Sequence, residues 1–267
     1  MAKKRKKKRS SRKGLVKFAK FIILLILLAG TSVLLAMSPA FNIQKISVSG
    51  NSVYSEEDII RTAGVIKGEN GFGSLGPGIE HILSLRYAAA EQNIINKMPY
   101  IKDAVVKYIV PDTIRISLLE REPFCFIQYF GTYILADREG FVIDSVQAPE
   151  GLPVIRGMEV NGLELGHALL TDDFTKFERV VQIIDAMEKS DEESVTGLLN
   201  AVDYFEISGK ELHFMLDGRI IVKIDDGNEA VYTIELLREI IIKKIQGNEK
   251  GILDFTEGKN PIFIPEG

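Results

Sequence analysis

The residue types that could support catalysis are few in this chain. Cys125 is the only cysteine, and it lies in the run Pro-Phe-Cys-Phe-Ile, between aromatic residues. A thiol is nucleophilic only as a thiolate, and apolar surroundings raise its pKa. A single cysteine also excludes an intrachain disulfide and a cysteine-rich zinc site. We therefore expect Cys125 to be a packed strand residue rather than a nucleophile.

The other motifs with possible chemistry are also weak. His81, His167 and His213 do not have the i, i+4 spacing of a metal-binding helix. Residues 71–76, Gly-Phe-Gly-Ser-Leu-Gly, match the dinucleotide pattern G-x-G-x-x-G, but here the glycines follow a predicted helix instead of a strand. No G-x-S-x-G motif occurs. The sequence predicts a non-enzyme without cofactor or metal, and a membrane-anchored cell-wall enzyme is a weaker alternative.

The charge of the chain is divided between two very different segments. The formal net charge is −4. Residues 1–20 contain eleven Lys or Arg residues and no acid, whereas residues 21–267 contain 22 basic and 37 acidic residues, a net −15. A basic run can bind nucleic acid, act as a nuclear-localisation signal, or flank the cytoplasmic end of a membrane helix. The segment that follows the run favours the last of these.

That segment, residues 21–44, contains no charged residue. A bilayer core about 30 Å thick requires roughly 20 apolar residues in a helix. We expect a membrane helix over residues 21–38, ending near Pro39, because proline disfavours helical geometry in the residue before it. A cleavable signal peptide is the alternative, but it normally has a shorter basic region and a shorter apolar region. The positive-inside rule then places residues 1–20 in the cytoplasm and the remainder outside, so we expect no nucleic-acid binding.

The first exterior block, residues 41–121, has the element order β-α-α-β-β. Ile46 and Val48 alternate with serines, which predicts a strand, and Ser55 followed by three acids predicts the start of a helix that ends at Gly64. A second helix is expected from Ile79 to Met98, followed by a hairpin of strands at 105–110 and 113–119. The apolar stripe of that second helix consists of Ile79, Leu83, Tyr87, Ala90, Ile94 and Met98.

The second block, residues 122–255, predicts a mixed sheet with two helices, so the fold class is α+β. Asp217-Gly218 is a strong two-residue hairpin signal. Residues 256–267 are expected to form a flexible C-terminal tail. The predicted strands cover residues 124–129, 133–136, 141–143, 204–207, 212–216, 220–224 and 252–255, and the predicted helices cover residues 174–187 and 230–245.

A series of short motifs follows the basic tail and the anchor. They are Ile46-Ser-Val-Ser-Gly-Asn51, Ser55-Glu-Glu-Asp-Ile59, Gly68-Glu-Asn-Gly-Phe72, Met98-Pro-Tyr-Ile-Lys-Asp-Ala-Val105, Val110-Pro-Asp-Thr-Ile-Arg-Ile116, Glu120-Arg-Glu-Pro123, Leu135-Ala-Asp-Arg-Glu-Gly-Phe-Val142 and Leu152-Pro-Val-Ile-Arg-Gly157. In this order they resemble the FtsQ/DivIB family of bacterial cell-division proteins, which has an FtsQ-type polypeptide-transport-associated (POTRA) domain followed by a β domain. The stretch 73–96 is longer than the corresponding helix of the family.

The resemblance implies a single-pass membrane protein of the division septum that acts without catalysis. Its implied partners are bitopic proteins of the FtsL and FtsB/DivIC types and the septal peptidoglycan synthases. A different POTRA protein that handles secreted polypeptides is the alternative. That class would carry a downstream barrel of many amphipathic strands, for which the second block is too short.

Partner binding could use β-augmentation, in which an exposed edge strand pairs with an incoming segment. The last predicted strand, Ile252 to Phe255, beside the helix that precedes it, is our candidate. The alternative is that these residues complete the sheet and its core. The predicted partner-binding residues are Tyr232, Leu236, Ile252, Leu253, Asp254 and Phe255.

Overall fold

A computed structural model describes residues 11–192, 194, 197–245, 247–256 and 260–266. It begins with helix α1 (Ser11–Ala36), of which Gly14–Ala36, 23 residues, is long and apolar enough to cross a membrane by length and composition. The hydroxyls of Thr31 and Ser32 donate to the carbonyls of Leu27 and Leu28 at 3.0 and 2.9 Å. These bonds satisfy polar groups that an apolar environment could not. Residues 1–10 of the predicted basic tail lie outside the described residues.

The chain folds as two compact units, one extending to Ile95 with Asp103–Leu119 added, the other formed by Asn96–Lys102 and the residues from Glu120 onward. In the first unit, a three-stranded sheet has the order β1-β3-β2, with β1 parallel to β3. The predicted β-α-α-β-β order is confirmed, with an additional break in the second helix. The elements are β1 (Lys45–Ser49), α2 (Glu56–Ala63), α3 (Ile79–Ser84), α4 (Ala88–Lys97), β2 (Ile101–Ile109) and β3 (Thr113–Glu120).

The boundaries of α2 follow from its caps. The side chain of Ser55 accepts a hydrogen bond from the Asp58 N–H. Three acidic residues occupy the first turn, where their negative charges interact favourably with the positive end of the helix dipole. Gly64 ends the helix with a φ of 69°, in the left-handed region that a glycine adopts without steric cost. Both ends lie where the sequence predicted them.

The predicted continuous helix from Ile79 to Met98 is wrong, because residues 85–87 leave the helical path. Leu85 has a φ of 55°, and its carbonyl accepts the Tyr108 N–H at 2.8 Å. The Tyr87 N–H donates to the Val106 carbonyl at 2.8 Å, so the segment pairs with β2. The last four residues of the predicted stripe are buried as expected, whereas Ile79 and Leu83 are exposed.

The second unit contains a nine-stranded sheet of order β12-β11-β10-β9-β8-β7-β4-β5-β6. Its core lies against α5 and α6, which pack on one face through residues such as Phe177, Ile184 and Leu237. The elements are β4 (Pro123–Tyr129), β5 (Thr132–Asp137), β6 (Val142–Val146), β7 (Val154–Arg156), α5 (Thr175–Glu192), β8 (Val202–Ser208), β9 (Glu211–Leu216), β10 (Ile220–Ile224), α6 (Ala230–Lys243), β11 (Gly251–Asp254) and β12 (Ile262–Pro265).

Two strands of this sheet were not predicted. β7 is three residues long and pairs in parallel with both β4 and β8. β12 lies in residues 256–267, where we expected a flexible tail, and that expectation is wrong for Ile262–Pro265. Residues 257–259 and 267 of the tail lie outside the described part of the chain.

Candidate partner-binding edge

The predicted edge strand β11 is an inner strand of the sheet. It pairs in parallel with β10 and in antiparallel fashion with β12. Its expected role as the exposed edge is therefore wrong, because a segment taken for a tail adds one more strand. Among the described residues, β12 is the outermost strand at this end of the sheet.

The register shows which backbone groups of β12 point outward. The Glu266 N–H donates to the Lys250 carbonyl at 2.9 Å, in the register that places Ile264 opposite Ile252. Hydrogen-bonded pairs alternate along antiparallel strands, so the backbone groups of residues 262, 264 and 266 bond inward. The bonds on the opposite side of β11 are consistent with this register, since the Gly251 and Phe255 N–H groups donate to the carbonyls of Arg219 and Lys223. Backbone groups of residues 261, 263 and 265 therefore face outward.

Two of these three outward positions are proline. Pro261 and Pro265 have no N–H, so Phe263 supplies the one outward donor of β12, while all three residues supply a carbonyl acceptor. An incoming strand can form its full set of bonds only around Phe263. The free backbone groups of this edge thus match only a short strand in a defined register, and the prolines disfavour extended pairing with another edge.

The six predicted partner-binding residues fall into two groups. Tyr232, Leu236 and Phe255 line one cleft of about 350 Å³, together with Pro261 at the start of β12. Tyr232 is exposed on the first turn of α6, Leu236 is half-buried, and Phe255 is buried at the floor. The cleft therefore lies directly beside the outer strand.

The other three predicted residues belong to β11. Leu253 is buried in the core with Phe255, so it cannot contact a partner directly. Ile252 and Asp254 are half-buried on the opposite face of the sheet. There Ile252 is paired with Ile264 of β12 and with Ile221 of β10. This cross-strand row gives the open face near the edge an apolar strip.

Asp254 lies in a neighbouring polar row with His213 and Lys223. Burial by itself raises the pKa of its carboxyl, but hydrogen bonds from the Thr256 hydroxyl and N–H and the charges of Lys223 and His213 outweigh this, so its pKa is below the ordinary value. The Thr256 bonds measure 2.7 and 2.8 Å. The carboxylate thereby stabilises the turn that leaves β11 toward β12.

Sequence reasoning missed Ile262, Phe263 and Ile264, which form the outer strand. Ile262 and Ile264 are exposed, while Phe263 packs against the core. The available signal was the run Pro-Ile-Phe-Ile-Pro, three apolar residues between two prolines. Prolines end helices and inner strands, but on an edge strand they are tolerated where the N–H would face solvent.

The other motifs do not form a chemical site in the described residues. Cys125 is fully buried in the core of the sheet, where burial raises the pKa of its thiol, so its predicted packing role is confirmed. Gly71 lies against the ring of Tyr108, with no space for a Cβ, and its carbonyl accepts the Tyr87 hydroxyl at 2.6 Å. Within the described ranges, no three His, Cys, Asp or Glu side chains are grouped as metal ligands.

Residues 41–121 match the model of the POTRA domain, FtsQ-type. The cell division protein DivIB of Clostridium acetobutylicum is 26% identical over 231 residues, which cover 84% of this chain and 83% of that protein. The cell division protein FtsQ of Corynebacterium glutamicum is 27% identical over 201 residues, or 74% of this chain and 78% of that protein.

A solved structure is also similar to part of the chain. The major extracytoplasmic domain of DivIB from Geobacillus stearothermophilus covers 48% of this chain and 98% of its own, with a TM-score of 0.25 and 10% identity. The sequence matches extend over most of the chain, and these relatives carry the names DivIB and FtsQ. Residues 41–121 are an FtsQ-type POTRA domain, and the chain as a whole is similar to the FtsQ and DivIB cell-division proteins.

Proposed function

We propose that this protein is a non-enzymatic scaffold of the division septum. Its partners are single-pass proteins of the FtsL and FtsB/DivIC types and the septal peptidoglycan synthases. The similarity to the DivIB and FtsQ cell-division proteins supports a role in division, and in this proposal the second unit carries the binding surface. In this proposal the N-terminus is cytoplasmic and both folded units lie outside the membrane, because the basic residues lie on the N-terminal side of the charge-free segment 21–44.

The observation that supports the proposal is the outer edge of β12. Its outward Phe263 N–H and the carbonyls of residues 261, 263 and 265 offer a partner strand a ladder of main-chain bonds. Exposed Ile262 and Ile264 lie on the open face of the sheet, and the cleft beside Tyr232 and Leu236 lies toward α6. A bound strand would place alternate side chains on these two faces. Apolar residues at those positions of the partner would have surfaces to contact.

The test compares Phe263→Pro with Phe263→Ala. Both variants lose the phenyl ring, but only the proline removes the outward N–H and places a ring in the path of an incoming strand. We expect the alanine variant to retain most of its affinity for the exterior segment of an FtsB/DivIC-type partner, and the proline variant to bind at least about tenfold more weakly. The measurement is isothermal titration with the purified full chain in nanodiscs.

Circular dichroism of both variants checks that the sheet is intact. Equal affinities for the two folded variants would show that β12 does not bind the partner through its backbone. A fluorescent fusion to the N-terminus tests the cellular role. Concentration at midcell is expected, and a uniform peripheral signal in dividing cells would contradict the septal assignment.

A further inference from the structure

The first unit joins the end of α1 without a free linker. The Asn70 side chain donates to the Ala36 carbonyl in the last turn of α1 at 2.8 Å. The Gly71 N–H donates to the Phe41 carbonyl at 2.9 Å, and the rings of Phe41 and Phe72 are 5.4 Å apart. The loop that starts at Asn70 therefore begins where the chain leaves the membrane helix.

The far end of the same loop returns to that place. Leu85 accepts the Tyr108 N–H, and the Tyr108 hydroxyl donates to the Phe41 carbonyl at 3.0 Å. Both ends of the segment 73–84 are thus tied to residues that contact Phe41. Helix α3 is part of this segment and cannot extend far from the membrane exit.

The helix α3 presents an apolar face that the protein does not cover. Ile79, Ile82 and Leu83 are 76%, 51% and 81% exposed. Their i, i+3, i+4 spacing places them on one side of the helix. The break at Leu85 produces this exposure, because it separates α3 from α4, in which Ala90 and Ile94 are buried. Ile66 and Val110, also exposed, lie close to residues that bond with Phe41, Ile43 or Gln44.

We propose that α3 inserts its apolar face into the surface of the bilayer that holds α1. The occupant is lipid, because the exposed face lies at the exit of a membrane helix and the segment 64–86 carries no net charge to attract an ionic partner. Lys67 and Arg86 balance Glu69 and Glu80. The inference needs α1 in a membrane but does not depend on strand addition at β12, so either can fail alone.

The test places one environment-sensitive fluorophore on α3. Leu83→Cys is labelled in the full chain, where native Cys125 stays unlabelled because it is fully buried. The matched control is Val53→Cys, which is 52% exposed and follows the other end of β1. That strand separates the two ends by about 16 Å at roughly 3.3 Å per residue. Unmutated protein gives the background signal.

Both labelled proteins are reconstituted alone in phosphatidylcholine vesicles that contain a lipid with a nitroxide near the headgroup end of its acyl chain. The fraction quenched is expected to be at least about threefold larger at position 83 than at position 53. Adding phosphatidylglycerol or salt should not change this ratio, because the contact is apolar. Ile79→Ser with Ile82→Ser should reduce the quenching at 83 to the level at 53.

Equal quenching at the two positions, or quenching at 83 that requires anionic lipid, would overturn the proposal. Equal quenching with a label at 83 that becomes shielded only after a partner protein is added would assign the face to protein instead. The serine variants change exposed side chains alone. Their circular dichroism should match that of the parent protein.

Discussion

The two ends of the nine-stranded sheet are finished in different ways. At β6 the chain covers the start of its own edge, since the Val142 N–H donates to the His167 carbonyl at 2.9 Å and the Gly166 N–H donates to the Val142 carbonyl at 2.8 Å. At β12, among the described residues, no strand follows, and two prolines limit the edge to one outward donor. One end is covered in part by the fold, and the other has free backbone groups around Phe263. This contrast supports the proposal that a partner binds at β12.

The largest expected effect is the difference in stability between a substitution in the inner strand β11 and one in the outer strand β12. Leu253→Asp places a charge in the core and should lower the free energy of unfolding by more than about 4 kcal/mol. Ile264→Asp changes a side chain that is 51% exposed, so it should change the free energy of unfolding by no more than about 0.5 kcal/mol. Urea unfolding of the two variants measures the difference. Similar losses in both would mean that Ile264 is as enclosed as Leu253.

The next effect concerns the closed end of the sheet. Arg121 donates to Asp137 at 2.6 Å, and both side chains are buried beside the turn that leads into β6. Arg121→Met leaves the carboxylate buried without its cation and should cost about 3 kcal/mol of unfolding free energy. The hydrogen-exchange protection of the Val142 amide should decrease with it.

The double variant Arg121→Met with Asp137→Asn is the control for this pair. The Asp137 carboxylate also accepts the Glu139 and Phe141 N–H groups, which an asparagine side-chain oxygen can continue to accept. The double variant should therefore regain a substantial part of the loss. A double variant as unstable as the single one would show that the pair acts through packing and not through charge.

A smaller effect is expected at the open end. Pro265→Ala restores a second outward N–H on β12 and should strengthen partner binding about three- to tenfold, the value of one net hydrogen bond. It should also promote dimerisation through paired edges, which sedimentation velocity can detect. Weaker binding by this variant would contradict the outward orientation that we assign to residue 265.

The smallest expected effect is the pH dependence of the turn after β11. The pKa of Asp254 in the folded protein is below its ordinary value. The carboxylate therefore stabilises the fold at a pH above the ordinary pKa, and this contribution is lost as the pH falls through the folded pKa. Asp254→Asn should remove this acid-sensitive part, which for a partly exposed group is below about 1 kcal/mol. Thermal unfolding of both proteins between acidic and neutral pH tests it. Parallel pH profiles would contradict the role of the carboxylate.

The sequence predicted the elements whose signals are local. The caps at Ser55 and Gly64 and the hairpin at Asp217-Gly218 each depend on residues within one turn. The structure at Leu85 and Ile262 could not be predicted from local signals. The break at Leu85 exists because residues 85–87 pair with β2 about twenty positions away, and β12 exists because β11 offers it an edge. Such long-range pairing overrides local propensity.

The candidate site was predicted in part for the same reason. Tyr232, Leu236 and Phe255 do line one cleft, since the apolar pattern of α6 and the end of β11 fixes their neighbourhood. The strand that a partner would pair with could not be identified without its register. Pro261 and Pro265 lie in the segment that we expected to be a flexible tail, and only the paired backbone shows that both face outward.

The hydrogen bond between Asn70 and the end of α1 also has a mechanical consequence. A flexible linker would let the first unit tumble while its helix diffuses in the bilayer. Here the bonds to Ala36 and Phe41 couple the two, so a rotation of α1 about its axis becomes a rotation of the POTRA domain. Torque applied to α1 would therefore be transmitted to the three-stranded sheet of the first unit.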